Sequence, residues 1–258
     1  MKTKKIKIPL IALATSILLY YSAILCNVSF GALKKGLFDG LSFLKEMFPP
    51  NLNALPEMVY PAIETIMISF LATIFGAILS FFFALAGASN LSPLWLKSIS
   101  RFFMATERAL PEIIILLLLV AALGLGPFPG VVALAIGCLG MLGRLFSDAV
   151  EEVNPKTIEA IQSVGATKMQ VIQYVIIPQI LPSLISNTLF RFEVTTRLSV
   201  LLGAVGAGGI GYEIYYSFQL LEYKRATMAI LVVLLLVFMS ERLSDYLRKK
   251  ILSNTKLK

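Results

Sequence analysis

The sequence predicts an all-α integral membrane protein, and composition and apolar run length support that prediction. Of 258 residues, 57% are hydrophobic and 15% are charged, whereas soluble domains carry about 25% charged residues. A membrane-spanning helix needs about 20 mostly apolar residues. Backbone polar groups in lipid must be paired internally, and the apolar runs are continuous rather than alternating, which favours helices over a barrel. We predict six spans from the runs Ile8–Phe30, Ala62–Ala86, Ile113–Leu125, Val131–Phe146, Ile180–Val205 and Ala226–Met239.

The third and fourth runs are short and need flanking residues to cross. The first run is longer than the roughly 7–15 apolar residues of a secretory signal core, so we interpret it as an uncleaved anchor. The chain is therefore predicted to be one transmembrane domain, residues 1–258, with a core at about 60–248 and an amino-terminal anchor helix at 1–30.

Positive charge at both ends predicts the topology, because positively charged flanks stay in the cytoplasm. An even number of spans with both termini cytoplasmic satisfies this rule. Ser89–Met104 and Asp148–Pro178 then lie inside, and Gly31–Tyr60 and Ala207–Arg225 lie outside. The flanking charges are Lys2, Lys4, Lys5 and Lys7 before the first run, and Arg242, Arg248, Lys249, Lys250, Lys256 and Lys258 after the last.

Several functions are disfavoured by residues that the chain lacks. It contains no histidine, which removes histidine-based catalysis and histidine metal sites. No G-x-x-x-x-G-K-[ST] occurs, so ATP binding in the P-loop manner is not expected of this chain. The two cysteines, Cys26 and Cys138, lie in apolar runs and are interpreted as small buried hydrophobes. The net charge is +8, and many of its positive residues lie before the first apolar run and after the last. This placement indicates a membrane surface rather than a nucleic-acid partner.

The segment between the fourth and fifth runs has the pattern of two short helices bent at a glycine. Asn154 and Pro155 form a helix start, and Gly165 ends that helix after an apolar stripe. Thr167 with Gln170 forms a capping-box pattern for a second helix, and Pro178 is expected to close it. An ordinary amphipathic loop is the alternative from the residues alone.

This segment resembles the EAA signature of ABC importer permeases. Glu159-Ala160-Ile161, three residues, Gly165 and then Val175-Ile176-Ile177-Pro178 match that signature with three apolar replacements. The resemblance implies a type I importer permease fold in which this segment is the coupling helix that docks on a separate ATPase. We expect Glu159, Ala160, Gly165 and Pro178 to be the ATPase-coupling residues.

Further motifs are similar to the phosphonate permease subfamily. They are Gly124–Pro127, Gly130–Leu134, Leu142–Glu151, Leu189–Glu193, Arg197 and Leu202–Gly211. The resemblance implies a transport subunit rather than an enzyme, in a bacterial cytoplasmic membrane. It also implies a homodimer, two ATPase subunits that hold ATP and Mg²⁺, and an extracytoplasmic binding protein. A permease for methionine or glycine betaine is the alternative, since those carry a similar glycine stretch.

Charged residues inside spans are costly and usually functional. The candidates are Glu64, Arg108, Glu112, Arg144, Arg191, Glu193 and Arg197. Arg108 and Arg144 can snorkel to the headgroups. Glu193 and Arg197 are spaced i, i+4 and predict a structural pair, which leaves Arg191 as surplus positive charge for an anionic substrate. A purely structural role for all three residues is the alternative.

The glycines Gly206, Gly208, Gly209 and Gly211 satisfy G-x-G-x-x-G, but a membrane run precedes them where a dinucleotide site needs a strand. We interpret them as packing glycines or a gate at the outer end of a span. Two rival functions remain at this point. An ion-driven transporter would account for the buried charges but not for the bent segment, and an intramembrane enzyme would have little chemistry available.

Overall fold

The computed structural model describes the backbone of residues 2–255 and side chains within residues 11–251, and every secondary-structure element in that range is a helix. The chain divides into two units, Met1–Pro49 and Pro50–Lys258. The all-α prediction is confirmed for the described residues. The lysines before residue 11 and after residue 251, used above for topology, have side chains outside the described residues.

The first unit is a pair of helices, α1 (Lys2–Leu25) and α2 (Phe30–Met47), bent by 53°. Ser29 caps α2 by accepting a hydrogen bond from the Ala32 amide at 3.0 Å. The predicted loop Gly31–Tyr60 is therefore largely helical. The reason is the spacing of Leu33, Leu37, Leu41 and Leu44, which places an apolar stripe along one side of α2.

The second unit holds the remaining helices. They are α3 (Leu55–Gly87), α4 (Leu94–Ala109), α5 (Glu112–Leu123), α6 (Pro127–Glu151), α7 (Pro155–Ser163), α8 (Lys168–Val171), α9 (Ile177–Leu202), α10 (Gly209–Gln219) and α11 (Tyr223–Thr255). A 3₁₀ turn, Leu52–Ala54, precedes α3, a π-helical turn, Ile172–Ile176, precedes α9, and the segment Gly203–Ala207 that follows α9 is kinked at Gly206.

The centre of this unit is the contact between α3 and α6, which is made of small residues. Both helices bury one at nearly every third or fourth position, so their backbones approach closely. A Cβ on Gly76 would overlap that of Cys138 and lie 2.8 Å from the Ala135 carbonyl oxygen. The buried small residues are Ser69, Ala72, Thr73, Gly76, Ser80, Ala84 and Gly87 on α3, and Gly130, Ala133, Gly137, Gly140, Gly143 and Ser147 on α6.

Hydroxyl groups join the same two helices. Ser80 Oγ donates to the Cys138 carbonyl at 3.3 Å, and Ser147 Oγ donates to the Ala84 carbonyl at 3.2 Å. Because higher numbers on α3 meet higher numbers on α6, the two helices run parallel. The chain must therefore cross back between them.

The return crossing is α4 followed by α5. Arg101 pairs with Glu151, Met104 lies against Gly143, and Glu107 lies against Gly140, so this pair of helices runs antiparallel to α6. The two helices are broken at Leu110-Pro111, where the residue before a proline is restricted to extended conformations.

Of the six predicted spans, four are helical stretches of the described residues that are long and apolar enough to cross, Leu52–Gly87, Pro127–Glu151, Lys168–Ala207 and Tyr223–Ile251, and the bent α1–α2 pair makes a fifth if it is one span. The predicted run Ile113–Leu125 becomes the 12-residue α5. At 1.5 Å per residue it covers about 18 Å, short of the roughly 30 Å hydrocarbon core, so only α4 and α5 together can reach across.

Gly76→Ala should destabilise the fold, because its methyl group has no space between α3 and α6. Overpacking of this kind typically costs about 1–3 kcal/mol. The measurement is thermal unfolding of the detergent-purified protein. Gly36→Ala is the matched control, because a Cβ there meets nothing within 4 Å. Equal unfolding temperatures for the two variants would contradict the close contact.

Candidate functional site

The segment of residues 154–171, named here the bent segment, has the caps that the sequence predicts. Asn154 Oδ1 accepts from the Lys156 amide at 3.0 Å and starts α7. Thr167 and Gln170 form the capping box of α8. Gly165 has φ +92°, a conformation that costs glycine little and other residues much. The prediction of two helices bent at Gly165 is confirmed.

One side of the bent segment is anchored on the end of α6. Ile158 and Val171 are buried in a cluster with Val150 and Val153. The other side is open, with Val164 80% and Met169 70% exposed. Glu159 and Ala160 are exposed as well. One face of the segment therefore packs against the end of α6, and the opposite face is an exposed apolar surface.

Pro178 does not close the second helix, so that prediction is wrong. The helical stretch continues from Lys168 to Ala207, with Pro178 in the first turn of α9 and Pro182 inside it. A proline removes one backbone hydrogen bond and crowds the carbonyl four residues earlier. The π-helical turn Ile172–Ile176 lies directly before Pro178. This wider turn is where the backbone departs from α-helical geometry as the helix continues.

Arg191 is 4% exposed and projects from α9 toward the middle of α6. Its Nε donates to Cys138 Sγ at 3.3 Å, and its Nη1 donates to Met141 Sδ at 3.7 Å. Its Nη2 lies 3.5 Å from Glu112 Oε1. Cys138 is buried, as predicted, whereas Cys26 is exposed, contrary to the prediction for it, because it lies in the turn after α1.

The predicted pair of Glu193 with Arg197 is wrong. Glu193 Oε1 accepts from Arg248 Nη2 of α11 at 2.7 Å. Arg197 Nη2 instead lies 3.6 Å from Glu241 Oε2, also on α11. The i, i+4 rule considers one helix alone, and here α11 packs along α9 and supplies a partner for each residue. Nothing in the isolated sequence of α9 shows those partners.

The glycine segment, residues 203–211, links α9 to α10 and lies beside the first third of α3, at Glu64 and Thr65. Gly206, Gly208 and Gly209 have φ of +109°, +77° and +69°. Glu64 Oε2 accepts from the Gly209 amide at 2.6 Å, and Thr65 Oγ1 accepts from the Ile210 amide at 2.9 Å. A Cβ on Gly211 would overlap the Val200 carbonyl oxygen. The segment is thus closely packed and contains glycines with positive φ. The side chains of Glu64 and Thr65 accept hydrogen bonds from two of its amides.

The remaining charged candidates have different environments. Arg108 lines a cavity together with Glu107 and Glu112. Arg144 forms a half-exposed pair with Asp148 at 3.1 Å on the surface of α6. Sequence reasoning did not identify Arg225, which lies within 4.0 Å of Glu57, Glu213 and Glu222. No local sequence pattern indicates the ion pairs of Arg225, because its partners come from three separate helices or turns.

The chain matches the family of binding-protein-dependent transport system inner membrane components over residues 76–253. That range covers α6, the bent segment, the buried charges and the glycine segment. The chain belongs to this family and is the inner-membrane permease component of an ABC importer. Permeases of this class are transport components, and the ATPase is a separate subunit.

Relatives within the family include permeases named for phosphite and phosphate import and others named for D-methionine transport. The phosphite transport system permease protein PtxC of Stutzerimonas stutzeri is 34% identical over 218 residues, which are 84% of this chain and 79% of PtxC. The phosphate-import permease protein PhnE of Mycolicibacterium smegmatis is 37% identical over 225 residues, 85% of this chain and 42% of PhnE. The chain thus spans less than half of that second relative.

The fold is similar to that of a solved importer. The inward-facing MetNI methionine ABC transporter matches with a TM-score of 0.68 and 21% identity, covering 78% of this chain and 99% of the matched chain. This likeness confirms the predicted type I importer permease fold.

Arg248→Gln should destabilise the protein by about 3–5 kcal/mol, because it leaves the Glu193 carboxylate buried without its counterion. Thermal unfolding in detergent measures the change. Arg144→Gln is the matched control, since its half-exposed pair should contribute at most about 1 kcal/mol. Adding Glu193→Gln to Arg248→Gln should restore much of the loss. A double variant as unstable as the single one would contradict this pairing.

Proposed function

We propose that this permease moves a small phosphorus oxyanion, such as a phosphonate, phosphite or phosphate, across the bacterial cytoplasmic membrane. The observation that carries the proposal is the similarity to PtxC and PhnE, which extends over 84–85% of the chain. Permeases named for D-methionine transport are also relatives, but at lower identity or over a smaller share of the chain, and the likeness to MetNI concerns the fold alone.

The buried arginine agrees with an anionic substrate. Arg191 lies near the middle of α6. A charged side chain at that depth in a membrane is energetically costly, and such residues usually mark a functional site. A guanidinium matches the geometry of a phosphorus oxyanion and can donate two parallel hydrogen bonds to it. We place Arg191 next to the route of the substrate, and we assign Glu193 a structural role with Arg248.

The bent segment is proposed to couple transport to ATP hydrolysis. The exposed apolar side chains of Val164 and Met169 and the exposed Glu159 and Ala160 form the surface that docks on a separate ATPase. Gly165 fixes the angle between α7 and α8. ATP and Mg²⁺ belong to that ATPase, which alternates the permease between inward-facing and outward-facing states. An extracytoplasmic binding protein delivers the substrate.

We propose a second copy of this chain as the partner within the membrane. The Arg197–Glu241 pair is about half exposed on both sides, although α9 and α11 belong to membrane-crossing stretches. Charges facing lipid are costly. A second copy across a shared aqueous passage would cover this face, while the exposed apolar side chains elsewhere contact lipid.

Both termini are proposed to be cytoplasmic, and thiol labelling tests this topology. In a background with Cys26 and Cys138 replaced by alanine, Ala160→Cys should react with impermeant reagents only from the cytoplasmic side. Lys45→Cys should react only from outside, because α1 then crosses and α2 lies beyond it. Labelling of both positions from one side would show instead that α1 and α2 form a re-entrant pair.

Gly165→Trp should leave the protein inserted and stable but abolish uptake. A Cβ at Gly165 meets nothing within 4 Å, so the cost is confined to the left-handed backbone and the docking surface. Uptake and ATPase co-purification are measured per amount of inserted permease. Gly40→Trp, also at an open position, is the control. Normal uptake by Gly165→Trp would contradict the docking role.

The substrate class is tested by uptake into proteoliposomes that contain the whole transporter and its binding protein. The probes are labelled phosphate, phosphite and methylphosphonate, with labelled methionine for comparison. At least one phosphorus oxyanion should accumulate in an ATP-dependent manner. Accumulation of methionine alone would overturn the proposed substrate class.

A further inference from the structure

A cavity of about 270 Å³ lies between α4, α5, α6 and α9. Its volume is several times the roughly 30 Å³ that one water occupies in the liquid, so it has room for a small tetrahedral ion with water. Two carboxylates and two guanidinium groups line it, together with a glycine and a methionine: Glu107, Arg108, Glu112, Gly137, Met141 and Arg191.

Arg191 is the most buried of the cavity's charged side chains, and its hydrogen bonds are weak. Two of its nitrogens donate to sulfur atoms, of Cys138 and Met141, and sulfur is a poor acceptor. Its Nη2 is buried and has no hydrogen-bond partner among the described residues. A guanidinium at this depth normally meets a carboxylate or phosphate with short, paired hydrogen bonds. Arg191 is therefore suited to an oxyanion acceptor at the cavity.

Glu112 is the carboxylate nearest to that nitrogen, with Oε1 3.5 Å from Nη2. This distance is within ion-pair range but longer than a good hydrogen bond. The Glu112 side chain is 28% exposed, against 5% for Arg191, so Glu112 has open space beside it that Arg191 lacks. Glu107 also lines the cavity and lies against Gly140, and its buried Oε2 has no hydrogen-bond partner among the described residues. Glu112 thus neutralises the charge of Arg191 without accepting a hydrogen bond from its Nη2.

We propose that Glu112 is an internal counterion, and that a tetrahedral oxyanion displaces it from Arg191 and binds in this cavity between Arg191 and Arg108. This inference rests on the proposed function and identifies where the substrate class is recognised inside the permease. An incoming anion exchanges one ion pair for another, so Arg191 is never left buried without a counterion, which would be strongly destabilising. The same competition keeps the anion's affinity modest, as passage requires.

Gly137 makes the exchange sterically possible. A Cβ there would lie 2.8 Å from Glu112 Cγ and 3.2 Å from Arg191 Nη2. Gly137→Ala would therefore press on both partners from the α6 side. This gives a variant that changes the shape of the cavity without changing its charge.

Equilibrium binding of ³²P-labelled inorganic phosphate to the detergent-purified permease–ATPase complex, without binding protein, tests the proposal. Wild type should bind saturably. Glu112→Gln should bind several-fold more tightly, because the competing charge is gone, and Arg191→Gln should lose at least about tenfold in affinity. Arg242→Gln, which removes an exposed arginine of α11 beside Phe238, should bind like wild type.

Arg191→Lys and Gly137→Ala test the proposal independently if Arg191→Gln fails to fold. Both should assemble and bind phosphate more weakly than wild type, the first through loss of the guanidinium fork. Unchanged or weaker binding in Glu112→Gln, or wild-type binding in Arg191→Gln, overturns the counterion proposal.

Uptake separates this result from the proposed function. If wild-type proteoliposomes accumulate a phosphorus oxyanion and every cavity variant does so equally, the cavity proposal fails and the proposed function stands. If wild-type transporter accumulates no phosphorus oxyanion, the proposed function itself fails.

Discussion

The close contact of α3 with α6 is the interaction on which the rest of the permease depends. Without a hydrophobic driving force between helices in lipid, association relies on close packing and hydrogen bonds. Here glycine, alanine and serine bring the two backbones together, and serine hydroxyls bond across the contact. Because the two helices run parallel, α4 and α5 must return between them. That return brings Glu107 and Glu112 to the middle of α6, opposite Arg191 of α9.

The charged residues Arg191, Glu193 and Arg197 of α9 are balanced by residues on other helices. Arg191 meets Glu112, Arg197 meets Glu241, and Arg248 meets Glu193. The first pair links α9 to α5 and the other two link it to α11, so a shift of α9 would alter all three together. The Arg191–Glu112 pair, at 3.5 Å, is longer than the Arg248–Glu193 pair, at 2.7 Å, and it lines a cavity.

The two ends of α9 have different local structures. At its beginning, the bent segment and a π-helical turn lead into the span, with Ile158 and Val171 anchored on the end of α6. At its other end the glycine segment begins, in which Glu64 and Thr65 accept hydrogen bonds from the amides of Gly209 and Ile210. The helix that starts in the bent segment thus leads to the glycine segment, where the kink at Gly206 ends it.

Local features of this protein were determined by the sequence itself. The helical membrane class follows from composition, and the caps at Asn154 and Thr167 and the bend at Gly165 follow from short-range backbone chemistry. These features depend on neighbours a few residues away, which a sequence displays directly. The break of the third span at Leu110-Pro111 is also local, because a proline restricts the residue before it. The continuation of the helix past Pro178, with Val175 and Ile180 buried in the cluster of Val150, and the partners of Glu193 and Arg197 were decided by the tertiary structure. Both depend on which helix lies alongside, and the packing of α11 on α9 pairs residues more than 40 positions apart.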